Sequence, residues 1–384
     1  MGSLVGKIVL TGGPCAGKTT ALSRIEQELT ERGYKVFVVS ESATDLIKSG
    51  IRPFGDKAFD LLNFQRLILK CQKEKEALYE KAVEMLLDDD KVVILCDRGI
   101  MDNKAYIPKE FKDIAAEQNL NELDMLTDYD MVIHMVTAAI GCPEYYTLEN
   151  NAARSESIEE ATDLDNRTRN AWIGHNRLVI VDNSTNFEDK LNRVCENIYQ
   201  AINLPYGIRY QRKYLIDLAK SNLDFLDGKD VNSIHIDQTY LKSREDGYER
   251  RLRKLTKDGE VTYYLTVQKK AKDGLSKIST DKKITAKEYL SLIELEDKNS
   301  TISKTRYTFV HNNQYFKLDV FDNEDLALLE VNPIDSEQKV DLPNDLTISK
   351  EVTDDHDYDN VVLANRTKKQ AKQKVKVEKN NVVY

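Results

Sequence analysis

The chain lacks what would tie it to an export route, a membrane or a nucleic acid. Its five cysteines, Cys15, Cys71, Cys96, Cys142 and Cys195, are scattered, odd in number and absent beyond position 195. They make neither a disulfide framework nor a CxxC pair, which points to a reducing, cytoplasmic compartment. No run approaches the roughly 20 apolar residues that a membrane-spanning helix needs. Positive charge is in deficit, with 56 Lys and Arg against 65 Asp and Glu and a net charge of -9. Non-specific affinity for a phosphate backbone comes from positive charge, so no specific nucleic acid is expected as a partner. The five histidines, His134, His175, His235, His311 and His356, show no ligand spacing, which excludes a His-built metal centre.

What remains is an ordinary globular composition, 41% hydrophobic and 32% charged over 384 residues. That length exceeds what one hydrophobic core usually serves, so two domains are expected. In the first half, near-continuous apolar runs at 5–10, 35–40, 91–96, 131–136 and 178–181 read as parallel strands buried on both faces. Leu22, Ile25 and Leu29 recur at helical spacing between the first two, and Gly33 stands where a C-cap belongs. The pattern predicts a doubly wound α/β sheet over 1–204, with ligands at the carboxyl ends of its strands. Beyond the Pro205–Gly207 boundary the period changes to two, which predicts a mainly antiparallel β domain over 207–365. From residue 366 the chain loses apolar periodicity and collects Lys368, Lys369, Lys372, Lys374, Lys376 and Lys379, a basic tail suited to an anionic membrane surface or simply to solvent.

Gly12, Gly13, Pro14, Cys15, Ala16, Gly17, Lys18 and Thr19 fit GxxxxGK[ST], between a strand and a helix, with Thr20 next along. Such a loop turns backbone N–H groups toward phosphates, sends the lysine to the outer phosphates and places the Thr19 hydroxyl on Mg2+. Asp97, at the tip of the third strand, is the second candidate for Mg2+, with a helix N-cap as its bland alternative. Arg98 and Asp102 would face an acceptor. Glu41, at the end of the second strand, either orients an acceptor hydroxyl or caps the next helix. Arg154, Arg167 and Arg169 lie in an acid-rich segment that is either a lid closing over phosphates or a solvated helix with i,i+4 pairs. Asn183, in Asp182-Asn183-Ser184 after the fifth strand, is a plausible edge for a base or ribose. No NKxD motif is present, so a purine nucleotide, ATP or GTP, is expected without a choice between them.

The phosphate loop, Glu41, Asp97-Arg98-Gly99 with Asp102, and Ala171-Trp172-Ile173-Gly174-His175 together resemble a small AAA-like P-loop family that includes ribosylnicotinamide kinase domains. The second half resembles a CYTH, or triphosphate tunnel, domain through Ile236–Leu241, Arg251-Leu252-Arg253, Lys304–Tyr307, Phe316–Phe321, Leu329–Val331 and Glu351-Val352-Thr353. Alternation in a closed β-barrel would direct Arg251, Arg253, Lys304, Arg306, Lys317, Asp319 and Glu330 into one wet lumen. An open sheet with these charges in solvent is the alternative. Lys213 joins the expected anion-binding set, and Asp319, Glu330 and Glu351 are the candidate metal carboxylates. The resemblance departs at its opening ExExK pattern, where Arg209-Tyr210-Gln211-Arg212-Lys213 keeps only the lysine, so anion binding is better supported than hydrolysis.

The order of the two domains is similar to that of the TRPL translocation defect proteins. This resemblance implies a nucleotide-dependent regulator of membrane-protein trafficking, cytoplasmic or peripheral at membranes, that binds an acidic phospholipid or a polyphosphate-like anion. A nucleoside-type kinase and a tunnel triphosphatase are the competing expectations.

Overall fold

The computed structural model describes residues 2–87, 90–146, 157–204, 210–241, 248–270, 277–294, 300–322, 324–335 and 337–366. Arg154, Arg209, the Pro205–Gly207 boundary and the tail lysines lie outside them. Two compact units emerge. The first takes residues 1–210 with 312–315 and 333–339, and the second takes the remainder.

In the first unit the chain runs β1 (Ser3–Thr11), α1 (Lys18–Glu31), β2 (Lys35–Val39), α2 (Ser42–Lys48), α3 (Leu61–Glu84), β3 (Lys91–Asp97), α4 (Phe111–Glu117), α5 (Glu122–Thr127), β4 (Met131–Met135), α6 (Ile158–Ala171), β5 (Leu178–Val181) and α7 (Phe187–Ala201). All five expected strands are present and pair in parallel in the order β2-β3-β1-β4-β5. They are mainly apolar, as expected of strands covered on both faces, with Lys7 and His134 as buried exceptions. Ile25 and Leu29 of α1 and Leu191, Val194 and Ile198 of α7 bury against Ile8, Leu10, Val93, Leu95 and Ile133. On the other side α3 packs against β1, β2 and β3. Side chains cap several helices: Asp60 accepts from the N–H of Asn63, Asn186 from that of Asp189, and Ser157 and Glu160 form a reciprocal capping box. No helix among the described residues is long and apolar enough to cross a membrane.

The second unit holds β6 (Arg212–Ile216), β7 (Val231–Leu241), β8 (Tyr248–Lys257), β9 (Glu260–Lys270), β10 (Lys277–Ile284), α8 (Ala286–Glu294), β11 (Ser300–His311), most of β12 (Gln314–Phe321), β13 (Ala327–Val331) and β14 (Ile348–Glu351). These strands form one nine-stranded sheet in the order β10-β9-β8-β7-β11-β12-β13-β6-β14. Every pairing described between them is antiparallel. Among the described residues no pairing joins β10 to β14, so the architecture is a separate antiparallel sheet and the expected closed barrel is not established. Tyr214, Ile216, Phe309, Phe316, Leu318, Leu329 and Val331 form its main apolar core.

Candidate functional site

The phosphate loop is built by glycines that no other residue could replace without moving the backbone. Gly12 has φ 139°, and a Cβ there would stand 2.0 Å from the Met135 carbonyl oxygen. Gly17, at φ 90°, is the N-cap of α1. Between them Pro14 and Ala16 are buried, and Cys15 takes the left-handed conformation at φ 55°. Thr19 and Thr20 stand exposed on the first turn of α1. The Lys18 ammonium donates to the carbonyls of Gly12, at 3.0 Å, and Gly13, at 2.9 Å, so it lies across the loop.

β3 brings its tip to the same edge. Arg98, in the left-handed region at φ 71°, donates through Nε to Glu41 at 2.7 Å. Glu41 also accepts from Thr44 Oγ1 at 2.6 Å. Burial pushes Lys18 down to about 8, with Arg98 adding to the shift. Burial, then repulsion from Glu41, raises Asp97. At Glu41 burial works against the charge, but Arg98, Thr44 and Lys18 outweigh it and hold the carboxyl below its ordinary range. An uncomfortable carboxylate at Asp97 and an exposed Thr19 hydroxyl suit a bound divalent cation, which would remove the charge penalty at Asp97.

Three expected roles need correction. Asp102 does not face an acceptor: it is buried and accepts from Thr11 Oγ1 at 2.6 Å, Trp172 Nε1 at 2.7 Å and Gly99 N at 3.1 Å. Its carboxylate is a structural knot between β1, β3 and the end of α6. Asn183 does not offer a free amide, since its Nδ2 donates to the carbonyls of Thr137, at 2.8 Å, and Ile140, at 2.7 Å, while Lys190 donates to its Oδ1 at 2.6 Å. On α6, Arg167 pairs with Asp163 at 2.8 Å in the i,i+4 register and donates to the Ala105 carbonyl at 2.5 Å, while Arg169 donates to Asn313 at 3.0 Å. These contacts fit the helix reading of that segment. Arg154 is outside the described residues.

Sequence reasoning missed the group that holds the loop from beneath. Asp165, fully buried on α6, accepts from Gly13 N at 2.7 Å and Thr137 N at 3.0 Å through Oδ1, and meets His134 Nε2 at 3.0 Å through Oδ2. Thr137 in turn donates to the Pro14 carbonyl, and Ala138 N to that of Cys15 at 3.3 Å. A signal was there to find. Ala161, Leu164, Asp165 and Thr168 lie at i, i+3, i+4 and i+7, so the aspartate occupies a core position of an amphipathic helix.

In the second unit, register places the expected anion-binding residues on one face of the sheet. Lys317, Glu330 and Lys213 are successive partners across β12, β13 and β6. Across β7, β8, β9 and β10, Arg251 opposes Tyr240 and Thr266, Thr266 opposes Asp281, and Arg253 opposes Gln238 and Tyr264. Lys304 and Arg306 join that face through Ile236 and Ile234 of β7. Buried Asp319 takes Lys304 at 2.5 Å and both ends of the Arg306 fork, at 2.7 and 2.8 Å. Burial opposes the Asp319 charge, yet Arg306 and Lys304 hold its carboxyl far below the ordinary range. Burial lowers Lys304 despite this partner.

The metal set Asp319, Glu330 and Glu351 is not brought together. Glu351 opposes Tyr214 and pairs with Arg212 at 2.6 Å, on the face opposite Asp319. Asp319 is already neutralised by its two cations. Among the described residues no group of three or more His, Cys, Asp or Glu could hold a metal ion.

Residues 7–190 match the family model described as AAA domain. Over those residues the first unit is similar to that family. No protein of curated function matches the chain. Among solved structures, the inorganic triphosphatase NE1496 is 26% identical over 41% of this chain and 94% of its own, with a TM-score of 0.31. The PH1012 protein from Pyrococcus horikoshii OT3 is 15% identical over 34% of this chain and 80% of its own, with a TM-score of 0.26. At such scores the likeness fixes neither fold nor activity for this chain.

Proposed function

We propose that the first unit binds a Mg2+-purine nucleotide through the Gly12–Thr20 loop, while the charged face of the second unit receives a polyanion. The observation that carries the reading is the loop itself, with Lys18 folded over the Gly12 and Gly13 carbonyls beside Asp97. The Cys15–Thr20 amides and Lys18 would take the phosphates, and Thr19 with Asp97 would hold Mg2+ and position it. Calorimetry of the intact protein with Mg-ATP and Mg-GTP, with Lys18→Ala as reference, tests this. Loss of a charge-assisted contact is expected to weaken binding roughly ten- to a hundredfold. Equal affinity in Lys18→Ala, or no heat in the unaltered protein, would refute it.

The depressed Lys18 gives the reading a pH signature. Because its folded value near 8 lies below the ordinary 10.5, the nucleotide-free protein binds fewer protons than the unfolded chain between those values. Lys18 therefore adds stability as pH rises through that window, whereas nucleotide binding, which needs the charged ammonium, weakens there. At pH 8 binding should take up about half a proton, read from heats in buffers of different ionisation enthalpy. Uptake that persists in Lys18→Ala would assign the proton elsewhere.

A second reading is phosphotransfer, favoured by Glu41, whose charged form is maintained beside Lys18 and Arg98. Glu41 would then accept the proton of an acceptor hydroxyl. Nucleotide turnover stimulated by a small hydroxyl-bearing metabolite, and lost in Glu41→Gln, separates this from binding alone.

A further inference from the structure

We infer that Phe187 is the platform on which the base of the bound nucleotide stacks; this rests on the nucleotide reading above. Strand order divides the ligand edge in two. β1, which leads into the phosphate loop, has β3 and β2 on one side and β4 and β5 on the other. Asp97, Arg98 and Glu41 sit on the β3/β2 side, where the outer phosphates, metal and acceptor belong. The nucleoside is left the β4/β5 side.

On that side α7 runs alongside α1, held by Arg24 to Glu188 at 2.5 Å and Arg24 to Asn192 at 2.6 Å. The two helices start together at the ligand edge. Gly17 caps α1, and Phe187 is the first residue of α7. The ring comes so near the loop that a Cβ on Gly17 would stand 2.6 Å from Phe187 Cε2. Yet the residue is 49% exposed, and so keeps a large apolar surface open beside the phosphate amides.

The neighbouring polar groups cannot do the same work. The Asn183 amide is engaged by Thr137, Ile140 and Lys190, and Asp182 accepts from Ser184 Oγ at 2.6 Å and Arg193 at 3.0 Å. Recognition from this side is therefore by area and π-stacking rather than by hydrogen bonds to base edges. A stacked ring rewards the larger purine over a pyrimidine and treats adenine and guanine alike.

The test compares the unaltered protein, Phe187→Ala and Phe187→Tyr, titrated with Mg2+ and ATP, GTP, CTP or inorganic tripolyphosphate. Lys18→Ala serves as the blank, so that anion binding elsewhere on the chain is subtracted. Phe187→Ala should weaken ATP and GTP alike, about tenfold, narrow the purine-over-pyrimidine preference, and leave Lys18-dependent tripolyphosphate binding within about twofold. Phe187→Tyr should restore purine affinity. Equal weakening of tripolyphosphate would mean that the ring merely props the loop, and unchanged ATP affinity would mean that the base lies elsewhere; either result overturns the inference alone. Absence of any Lys18-dependent nucleotide binding in the unaltered protein would instead overturn the nucleotide reading, and this inference with it.

Discussion

Asp165→Ala is expected to destabilise the first unit by roughly 3–5 kcal/mol and to abolish tight nucleotide binding at the same time. The carboxylate is the shared acceptor for two buried backbone donors, Gly13 N and Thr137 N, and the partner of a fully buried His134. Truncation leaves both amides unsatisfied, each at about 1–3 kcal/mol, and frees the turn that the phosphates must meet. The protein's single tryptophan, Trp172, is buried in this unit, so its emission during urea unfolding reports the relevant transition. Asp165→Asn keeps an acceptor oxygen and should lose markedly less. Burial opposes the Asp165 charge, but His134 and the two amides outweigh it and lower its carboxyl. Its stabilisation is thus present above the ordinary carboxylate range and lost as pH falls through the folded value. The Asn variant should lack that acid-dependent component. A Trp172 transition in Asp165→Ala at the same urea concentration as in the unaltered protein would disprove the assignment.

The contrast between Asp165 and the phosphate loop indicates what a sequence makes legible. Gly12 to Thr19 is contiguous, and its chemistry follows from local backbone freedom and the two elements it joins. The five strands of the first sheet were legible for a similar reason, since burial on both faces leaves continuous apolar runs. Asp165 acts on Gly13, 152 residues away, and on Thr137, 28 away. Nothing local encodes those partners, although an aspartate on a buried helical stripe marks that some partner must exist. The second sheet shows the opposite limit. Register keeps Arg251 with Arg253 and Lys304 with Arg306 on shared faces, as a period of two expects, whereas Glu351, expected beside Asp319 and Glu330 as a metal carboxylate, lies elsewhere. A register irregularity between Ile348 and Lys350 inverts the parity of β14 and moves Glu351 to the other face. Saturation is equally invisible: Asp102 and Asn183 have residue types suited to a site, and their hydrogen-bonding capacity is spent within the fold.

Asp319→Ala should cost the second unit about 3–5 kcal/mol, because it removes the carboxylate shared by buried Lys304 and the Arg306 fork. The loss should appear as a lower midpoint in far-UV unfolding, while nucleotide affinity in the folded protein stays unchanged. On the proposed polyanion reading, Asp319 is an internal counter-ion to Lys304 and Arg306 with which an external anion would compete. Removing it should therefore raise tripolyphosphate affinity even as it weakens the fold. The two effects meet in one measurement: tripolyphosphate at about a hundredfold over its Kd returns about 2.7 kcal/mol by mass action, so the variant should be rescued at anion concentrations too low to stabilise the unaltered protein. The triple change Lys304→Met, Arg306→Met and Asp319→Leu replaces the whole triad by apolar volume. It should recover much of the stability and still bind tripolyphosphate less well than Asp319→Ala, because the stability of a buried triad and the anion affinity of its cations are separable. If tripolyphosphate stabilises Asp319→Ala no more than the unaltered protein, these cations hold the sheet together and the polyanion site lies elsewhere.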